Sequence, residues 1–207
     1  MTESTHNLMD SDRKRRLITR LAEVVIAHAD ELTALDAAIG DGDHGHNMKR
    51  GFEAVLQETE TLSAMALPGL LRAIGMKLLS KVGGASGPLY GTLFMTLGKQ
   101  MPAAPLRGGI ADALQGAVEA VKARGKSDVG QKTMLDVLAP ACAAFATGNS
   151  LSSVAETARR AAEATVPMRA TRGRASFLGE RSIGHMDPGA RSAELMIAAV
   201  CEEFGGT

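Results

Sequence analysis

Apolar residues recur at helical spacing in about eight successive segments, and no segment alternates apolar and polar residues like a half-buried strand. The turns between the segments are mostly short, so neighbouring helices should pack antiparallel. The predicted helices run from Met9 to Asp30, from His44 to about Glu60, after Pro68 as far as Gly83, after Pro88 through Leu97, from Leu106 to Ala123, after Thr133 through Leu138, from Ser150 to Ala164, and from Asp187 through Val200. The sequence therefore predicts an all-α fold, an up-and-down bundle of about eight antiparallel amphipathic helices.

Carboxylates and glycines are crowded into the stretch Asp36–Asn47. Asp36, Asp41 and Asp43 lie so close together that their charges should repel, which is unfavourable for folding. A hard divalent cation such as Mg2+ removes that penalty, because it takes carboxylate oxygens as ligands. The alternative is a solvated Asp-Gly turn that leads into a helix.

Segments rich in glycine or polar residues precede the second, fourth, sixth and eighth predicted helices, and they cover residues 42–45, 83–87, 125–133 and 184–189. In an up-and-down bundle these four helices begin at the same end. Helix N-termini present unpaired N–H groups and a positive dipole end, which together bind phosphate. Carboxylates beside such a site need a metal, so the pattern predicts a metal-nucleotide or metal-phosphate ligand.

Three of these positions also have a purely structural interpretation. The stretch Gly83–Gly87 could cradle a phosphate, or it could combine a helix C-cap with Ser86 as the next N-cap. Asp187 could simply cap a helix that has Pro188 in its first turn. The Thr133 hydroxyl could bond a phosphate or cap the sixth helix.

The segment Val166–Met186 is too long and too rich in glycine and arginine for a plain turn, and it is predicted to be a lid. Its residues Arg172, Arg174 and Arg181 could be solvated or could grip phosphates. No nucleophile and base stand in a recognised catalytic motif. That absence is compatible with phosphoryl transfer, which depends mainly on positioning and charge neutralisation.

Composition argues against several other classes. Lys+Arg and Asp+Glu number 23 each and aromatic residues are only 3%, which argues against a nucleic-acid or anionic-membrane surface. No signal-peptide pattern or long apolar run is present, which predicts a cytoplasmic protein without a membrane span. Cys142 and Cys201 lie in apolar helical runs and are predicted to be buried thiols. We expect a single domain over residues 1–207, with residues 1–8 flexible.

Four motifs, in order along nearly the whole chain, resemble those of the nucleotide-binding L subunit of dihydroxyacetone kinase. They are AIGDGDHGHN at 38–47, GGASGPLYGT at 83–92, GQKTMLD at 130–136 and GRASFLGERSIGHMDPG at 173–189. The resemblance implies a closed barrel of eight helices that binds ADP or ATP and two Mg2+ ions at one end. It implies metal ligands at Asp36, Asp41 and Asp43. It implies nucleotide contacts at His44, Gly45, His46, Asn47, Ala85, Ser86, Gly125, Met134, Arg174, Asp187, Pro188 and Gly189. Arg174 is also a candidate phosphate clamp, and Thr133 is a further candidate for nucleotide binding from the helix pattern.

The resemblance further implies a phosphoryl-donor subunit that acts on a ketone held by a separate K subunit. The phosphoryl donor is either ATP or a phosphotransferase-system protein that recharges bound ADP, and the ketose or triose substrate is left open. Two other functions are compatible with the same residues. One is a nucleotide-sensing interaction module without its own catalysis, and the other is a metal-dependent phosphohydrolase.

Overall fold

The computed structural model describes residues 10–205, which form ten α-helices and one 3-10 helix and contain no strand. The helices are α1 (Ser11–Ala27), α2 (Ala29–Ile39), α3 (His44–Leu56), α4 (Thr59–Ser63), α5 (Leu67–Lys81), α6 (Ser86–Gln100), α7 (Arg107–Gly125), α8 (Leu135–Ala146), α9 (Leu151–Ala164) and α10 (Pro188–Gly205), with the 3-10 helix at Arg174–Ser182 between the last two.

Eight of these helices form a closed ring. The order around the ring is α1, α3, α5, α6, α7, α8, α9 and α10, and α10 packs back against α1. The apolar faces of all eight point inward into one continuous core, which includes Phe52, Tyr90 and Leu135. The predicted all-α closed bundle is therefore confirmed.

Helices α5 and α6 approach each other very closely because glycines lie between them. A Cβ atom on Gly75 would come within 2.6 Å of the Met95 backbone nitrogen, and one on Gly91 would come within 3.1 Å of the Gly75 carbonyl oxygen. Any larger residue at either position would push the helices apart. The Gly83-Gly84 turn that joins the two helices thus has a fixed position at one end of the ring.

The first predicted helix differs from the structure at its C-terminal end. The prediction ended it at Asp30, whereas α1 ends at Ala27 and α2 continues to Ile39 after a break at His28. The His28 ring nitrogen Nδ1 lies 2.7 Å from the Val24 carbonyl oxygen, which holds the break without any glycine or proline. Asp36 consequently lies on a helix, one turn before the glycines of the motif.

A further helix boundary also differs from the prediction. The helix that opens at His44 ends at Leu56 instead of about Glu60, and the short helix α4 follows it. The segment predicted to be a lid contains the 3-10 helix. Helix α8 continues through Pro140, which lies inside it.

The remaining expectations concern the cysteines, membrane spans and the N-terminus. Cys142 and Cys201 are both free and buried, as predicted. Among residues 10–205, no helix is both long enough and apolar enough to cross a membrane. The predicted flexibility of residues 1–8 lies outside the described residues.

Candidate functional site

The N-termini of α3, α6, α8 and α10 come together at one end of the ring, as the positions of the glycine-rich segments predicted. They surround an open cavity of about 160 Å³, which we call the carboxylate cavity. Its lining includes residues that the sequence singled out: Asp36, Asp41, Asp43, His44, Ala85, Ser86, Thr133, Met134, Arg174, Asp187, Pro188 and Gly189. Four helix dipoles therefore direct their positive ends at the same space.

The three carboxylates of the motif can converge on one point. Asp36, Asp41 and Asp43 each offer an oxygen, and these oxygens lie within 4.8 Å of one another. Oxygen ligands at the ordinary Mg2+ distance are at most roughly 4.2 Å apart, so only a small inward movement separates this set from a magnesium site. The residues present therefore fit a hard divalent cation.

Asp36 has a structural role as well. It is buried, and its Oδ2 accepts the backbone N–H groups of Asp43 at 2.8 Å and of His44 at 3.1 Å. These two bonds fold the loop back onto α2 and fix the start of α3. The carboxylate that anchors the loop is thus one of the candidate metal ligands.

Cationic side chains offset part of the negative charge. Four carboxylates and three cationic side chains line the carboxylate cavity, the latter being Lys132, Arg172 and Arg174. Nη2 of Arg174 lies 3.1 Å from Oδ2 of Asp41. The lid therefore reaches the metal motif directly, and its arginines lie where they could meet phosphate oxygens.

A buried chain of hydrogen bonds joins three of the helix N-termini. The ring of His44 lies 2.9 Å from Ser86 Oγ through Nδ1 and 2.9 Å from Ser192 Oγ through Nε2. Ser192 Oγ lies in turn 2.7 Å from the hydroxyl of Tyr90, which donates to the Gly189 carbonyl oxygen at 3.2 Å. Burial lowers the pKa of His44, although Asp36 and Asp43 oppose that shift, so a neutral imidazole links α3, α6 and α10.

The Ser86 hydroxyl thus bonds to His44 and does not cap α6; Ala85 holds the N-cap position without a side-chain bond.

By contrast, Asp187 Oδ2 accepts the N–H of Ala190 at 2.7 Å, which is an N-cap bond on α10. Burial raises the pKa of Asp187 to about 7; the ionised Asp136 and Asp36 add to that shift, and the Ala190 N–H and Lys132 oppose it. Its carboxyl group is therefore poised to change charge near neutrality.

Thr133 and its neighbours shape the start of α8. The Thr133 hydroxyl oxygen accepts the N–H of Leu135, the first residue of α8, at 3.2 Å, whereas Met134 holds the N-cap position of that helix. The buried carboxylate of Asp136 accepts the N–H groups of Thr133, at 2.7 Å, and of Gly130. Thr133 also lines the carboxylate cavity, so its bond to Leu135 does not remove it from the site.

A second cavity, of about 300 Å³, opens beside the first, and we call it the apolar cavity. The two share part of their lining, including Ala85, Leu89 and Met134. Pro88, Val121 and the candidate Gly125 complete much of the remaining wall. A cavity of this size with Pro88, Leu89 and Val121 in its wall, next to one lined by carboxylates, suits a ligand with an apolar ring at one end and anionic groups at the other.

Three candidates of the first motif line neither cavity. Gly45 is buried against α2, where an added Cβ would lie 1.9 Å from the Ala29 carbonyl oxygen. His46 Nδ1 lies 3.3 Å from Thr33 Oγ1, so this ring also faces α2. Asn47 is buried beside the Gly83-Gly84 turn. Their predicted ligand contacts remain predictions.

Sequence reasoning did not single out Tyr90, Asp136 or Ser192 as parts of the site. Tyr90 is the one tyrosine of the chain, and it lies within the second glycine-rich motif, which was the only available signal. Lys132 lies within the third motif, which does not by itself predict a role for it. Its partners lie far away in the sequence, so no local spacing could reveal them.

The fold and the site together define a helical barrel with a carboxylate cluster and four helix N-termini at one end. A family model described as the DAK2 domain matches residues 38–202. The chain belongs to this family.

Two relatives align with nearly the full length of the chain. The ADP-binding subunit DhaL of PEP-dependent dihydroxyacetone kinase 1 from Listeria innocua is 40% identical over 93% of this chain and 96% of its own length. The ADP-binding subunit DhaL of the PEP-dependent dihydroxyacetone kinase from Escherichia coli is 38% identical over 87% of this chain and 90% of its own length. These relatives confirm the resemblance that the four motifs carried.

A solved structure shows the same fold. The dihydroxyacetone kinase from C. freundii, determined in complex with AMP-PNP and Mg2+, matches with a TM-score of 0.77 and 23% identity. The match covers 98% of this chain and 36% of that chain. The barrel thus forms about a third of that longer protein.

Proposed function

We propose that this chain is the phosphoryl-donor subunit of a dihydroxyacetone kinase, or of a kinase for a related ketose or triose. The observation that carries the proposal is the convergence of Asp36, Asp41 and Asp43 with four helix N-termini on one cavity. That combination suits a metal-bound polyphosphate, because the metal neutralises the carboxylates and the helix ends receive the phosphates.

The proposed ligand is ADP or ATP with two Mg2+ ions. The apolar cavity would hold the base, and the carboxylate cavity would hold the phosphates and metal. When bound, the metal ions would neutralise charge on the phosphate oxygens. Ser86, Arg174 and the first turn of α10 would position those oxygens, and the lid would cover them.

The proposed acceptor is a ketone held by a separate K subunit. A small hydroxyketone gains little binding energy without an enclosing pocket. Both cavities described here are assigned to the nucleotide, which leaves the ketone to the partner. Its hydroxyl oxygen would form the new bond to phosphorus as the bond to the ADP oxygen breaks, while the hydroxyl proton passes to a group of the partner.

The proposed source of the phosphoryl group is a phosphotransferase-system protein that recharges bound ADP. Two relatives that span nearly the whole chain are named ADP-binding subunits of PEP-dependent kinases, which supports this source over free ATP. ADP released on denaturation of the freshly purified protein would support tight retention of the nucleotide.

The test uses purified protein with Mg2+, dihydroxyacetone and either ATP or the PEP-dependent donor proteins, with and without a K-type subunit. We expect phosphorylated ketone only when the K-type subunit is present. Product formed equally fast without it would refute the proposal that this chain acts only together with a K-type subunit. Release of inorganic phosphate without ketone would indicate a phosphohydrolase, and nucleotide binding without any turnover would indicate a sensing module.

A further inference from the structure

The side chain of Lys132 ends at the base of the lid, residues 166–186. Its Nζ donates to the Ser182 carbonyl oxygen at 2.6 Å, to that of Met168 at 3.0 Å and to that of Val166 at 3.5 Å. The residue is 1% exposed. An ammonium group has three N–H donors, so all of them are used within the protein.

These acceptors belong to both ends of the lid. Val166 and Met168 precede the 3-10 helix, and Ser182 is its last residue. Other bonds close the same base: the Ala170 N–H donates to Ser182 Oγ at 2.9 Å, and the Gly184 N–H donates to the Val166 carbonyl oxygen at 2.9 Å. Lys132 thus connects the two ends of the lid, residues 166–170 and 182–184, to the loop before α8. We call these two ends the roots of the lid.

Lys132 also directly precedes two residues of the candidate site in the sequence. It has a left-handed backbone with φ of 63°, which is unfavourable for a residue with a side chain and persists where the surroundings hold it. The next residues, Thr133 and Met134, line both cavities. The position of the lid and the position of the cavity wall are therefore set by one residue.

We infer that Lys132 is a positioning residue for the proposed nucleotide site. Its ammonium group holds the lid roots so that Arg172 and Arg174 face the carboxylate cavity, and it makes no bond to phosphate itself because its donors are already used. The roots of the lid stay fixed in the free protein, and only its tip, residues 172–179, responds to ligand. The inference rests on the proposed nucleotide function, so one arm of its test works without ligand.

The ligand-free arm compares Lys132→Met with Lys14→Met. Lys14 is a matched control, because it is also buried and donates to a backbone carbonyl, that of Met65, at 2.6 Å on a different part of the ring. Hydrogen exchange is followed at the Ala170 and Gly184 amides, relative to amides in the middle of α10. We expect exchange at least about tenfold faster in Lys132→Met, because opening of the roots no longer has to break the lysine bonds. Unchanged exchange, or equal acceleration in Lys14→Met, would overturn the inference.

The ligand arm is a double-mutant cycle on Mg-ADP affinity. Arg174→Ala should weaken binding by about tenfold in the wild-type and Lys14→Met backgrounds, as expected for loss of a charged hydrogen bond to phosphate. In the Lys132→Met background the same change should cost less than about twofold, because a loose lid no longer presents Arg174. Equal losses in all three backgrounds would show that Lys132 does not act through the lid.

A second substitution separates positioning from charge. Lys132→Arg keeps the positive charge, but its planar donors cannot meet three carbonyl oxygens around one nitrogen. We expect it to behave like Lys132→Met, whereas wild-type affinity would show that only the charge matters and would overturn the inference. If Lys132→Met does not fold, Lys132→Arg carries the exchange arm, because it keeps the buried positive charge but cannot make the three bonds from one nitrogen. Failure of the wild type to bind Mg-ADP would contradict the proposed function, while the exchange arm would still decide the role of Lys132.

Discussion

Arg174 of the lid and Asp41 of the carboxylate cluster form an ion pair, with Nη2 of the arginine 3.1 Å from Oδ2 of the aspartate. The arginine side chain is 68% exposed, and exposed pairs of this kind contribute little stability. The pair can therefore exchange partners at small cost. A metal would take the carboxylate, and a phosphate would take the guanidinium.

This exchange predicts opposite effects of Arg174→Ala on two ligands. Without nucleotide, Mg2+ should bind up to about fivefold more tightly, because Asp41 loses a competing cation worth at most ~1 kcal/mol. Mg-ADP should bind about tenfold more weakly, because a phosphate contact is lost. Calorimetric titration measures both, and Arg181→Ala serves as a control from the same lid. A change of the same sign for both ligands would contradict the partner exchange.

The carboxylate cluster makes a prediction that separates ligand binding from folding. Asp41→Asn and Asp43→Asn should each weaken metal-dependent ADP retention by at least about tenfold, with little loss of stability. Asp36→Asn should do the same and also lower the free energy of unfolding by about 1–3 kcal/mol, because its carboxylate accepts two backbone N–H groups.

Equilibrium dialysis and urea unfolding test these three variants. Asp128→Asn is the control, because Asp128 is exposed, pairs with Lys122 and lines neither cavity. Wild-type retention of ADP in all three variants would remove the assignment of the metal ligands.

The sequence anticipated the end of the barrel better than its details. Helical spacing and four glycine-rich segments were enough to predict that the N-termini of α3, α6, α8 and α10 meet, because that follows from antiparallel order. The break at His28 contains no proline or glycine, so the sequence pattern did not predict it. The Tyr90–Ser192 bond joins residues 102 positions apart, and the Lys132–Ser182 bond joins residues 50 apart, so only the closed ring reveals them.

Asp187 predicts a pH dependence of stability in the ligand-free protein. Burial raises its pKa from 3.8 to about 7, so between these values the folded protein holds a proton that the unfolded chain has lost. The stability from this group is therefore complete below about pH 4 and is lost as the pH rises through about 7. Asp187→Asn, which keeps an oxygen for the Ala190 N–H, should lack this fall.

Urea unfolding at pH 5 and pH 8 with chelator present checks this. The difference in unfolding free energy between wild type and Asp187→Asn should change by at least about 1 kcal/mol, the size of a shift of one pKa unit. Parallel behaviour of the two proteins across this range would show that Asp187 keeps an ordinary pKa in the folded state.

The last prediction concerns docking of the proposed K-type subunit. Phe177 lies on the 3-10 helix of the lid, and its 89% exposure is the highest among the large apolar side chains in the described part of the chain. Arg174 and Ala175 of the same helix line the carboxylate cavity, and Phe177 follows them within one turn. An exposed aromatic side chain there is suited to enter a pocket of the partner when the two sites meet.

Phe177→Ser should raise the concentration of K-type subunit needed for half-maximal turnover by at least about tenfold, as expected when an aromatic anchor is truncated. Mg-ADP affinity should not change, because the ring touches neither cavity. Met76→Ser is the matched control, since Met76 is 62% exposed on α5 and lines neither cavity. Equal effects of the two substitutions would place the docking face elsewhere. A weaker response to the K-type subunit in Phe177→Ser alone would mean that the lid contacts both the nucleotide and the partner. Water would then be excluded from the transferring phosphoryl group only once the partner has docked.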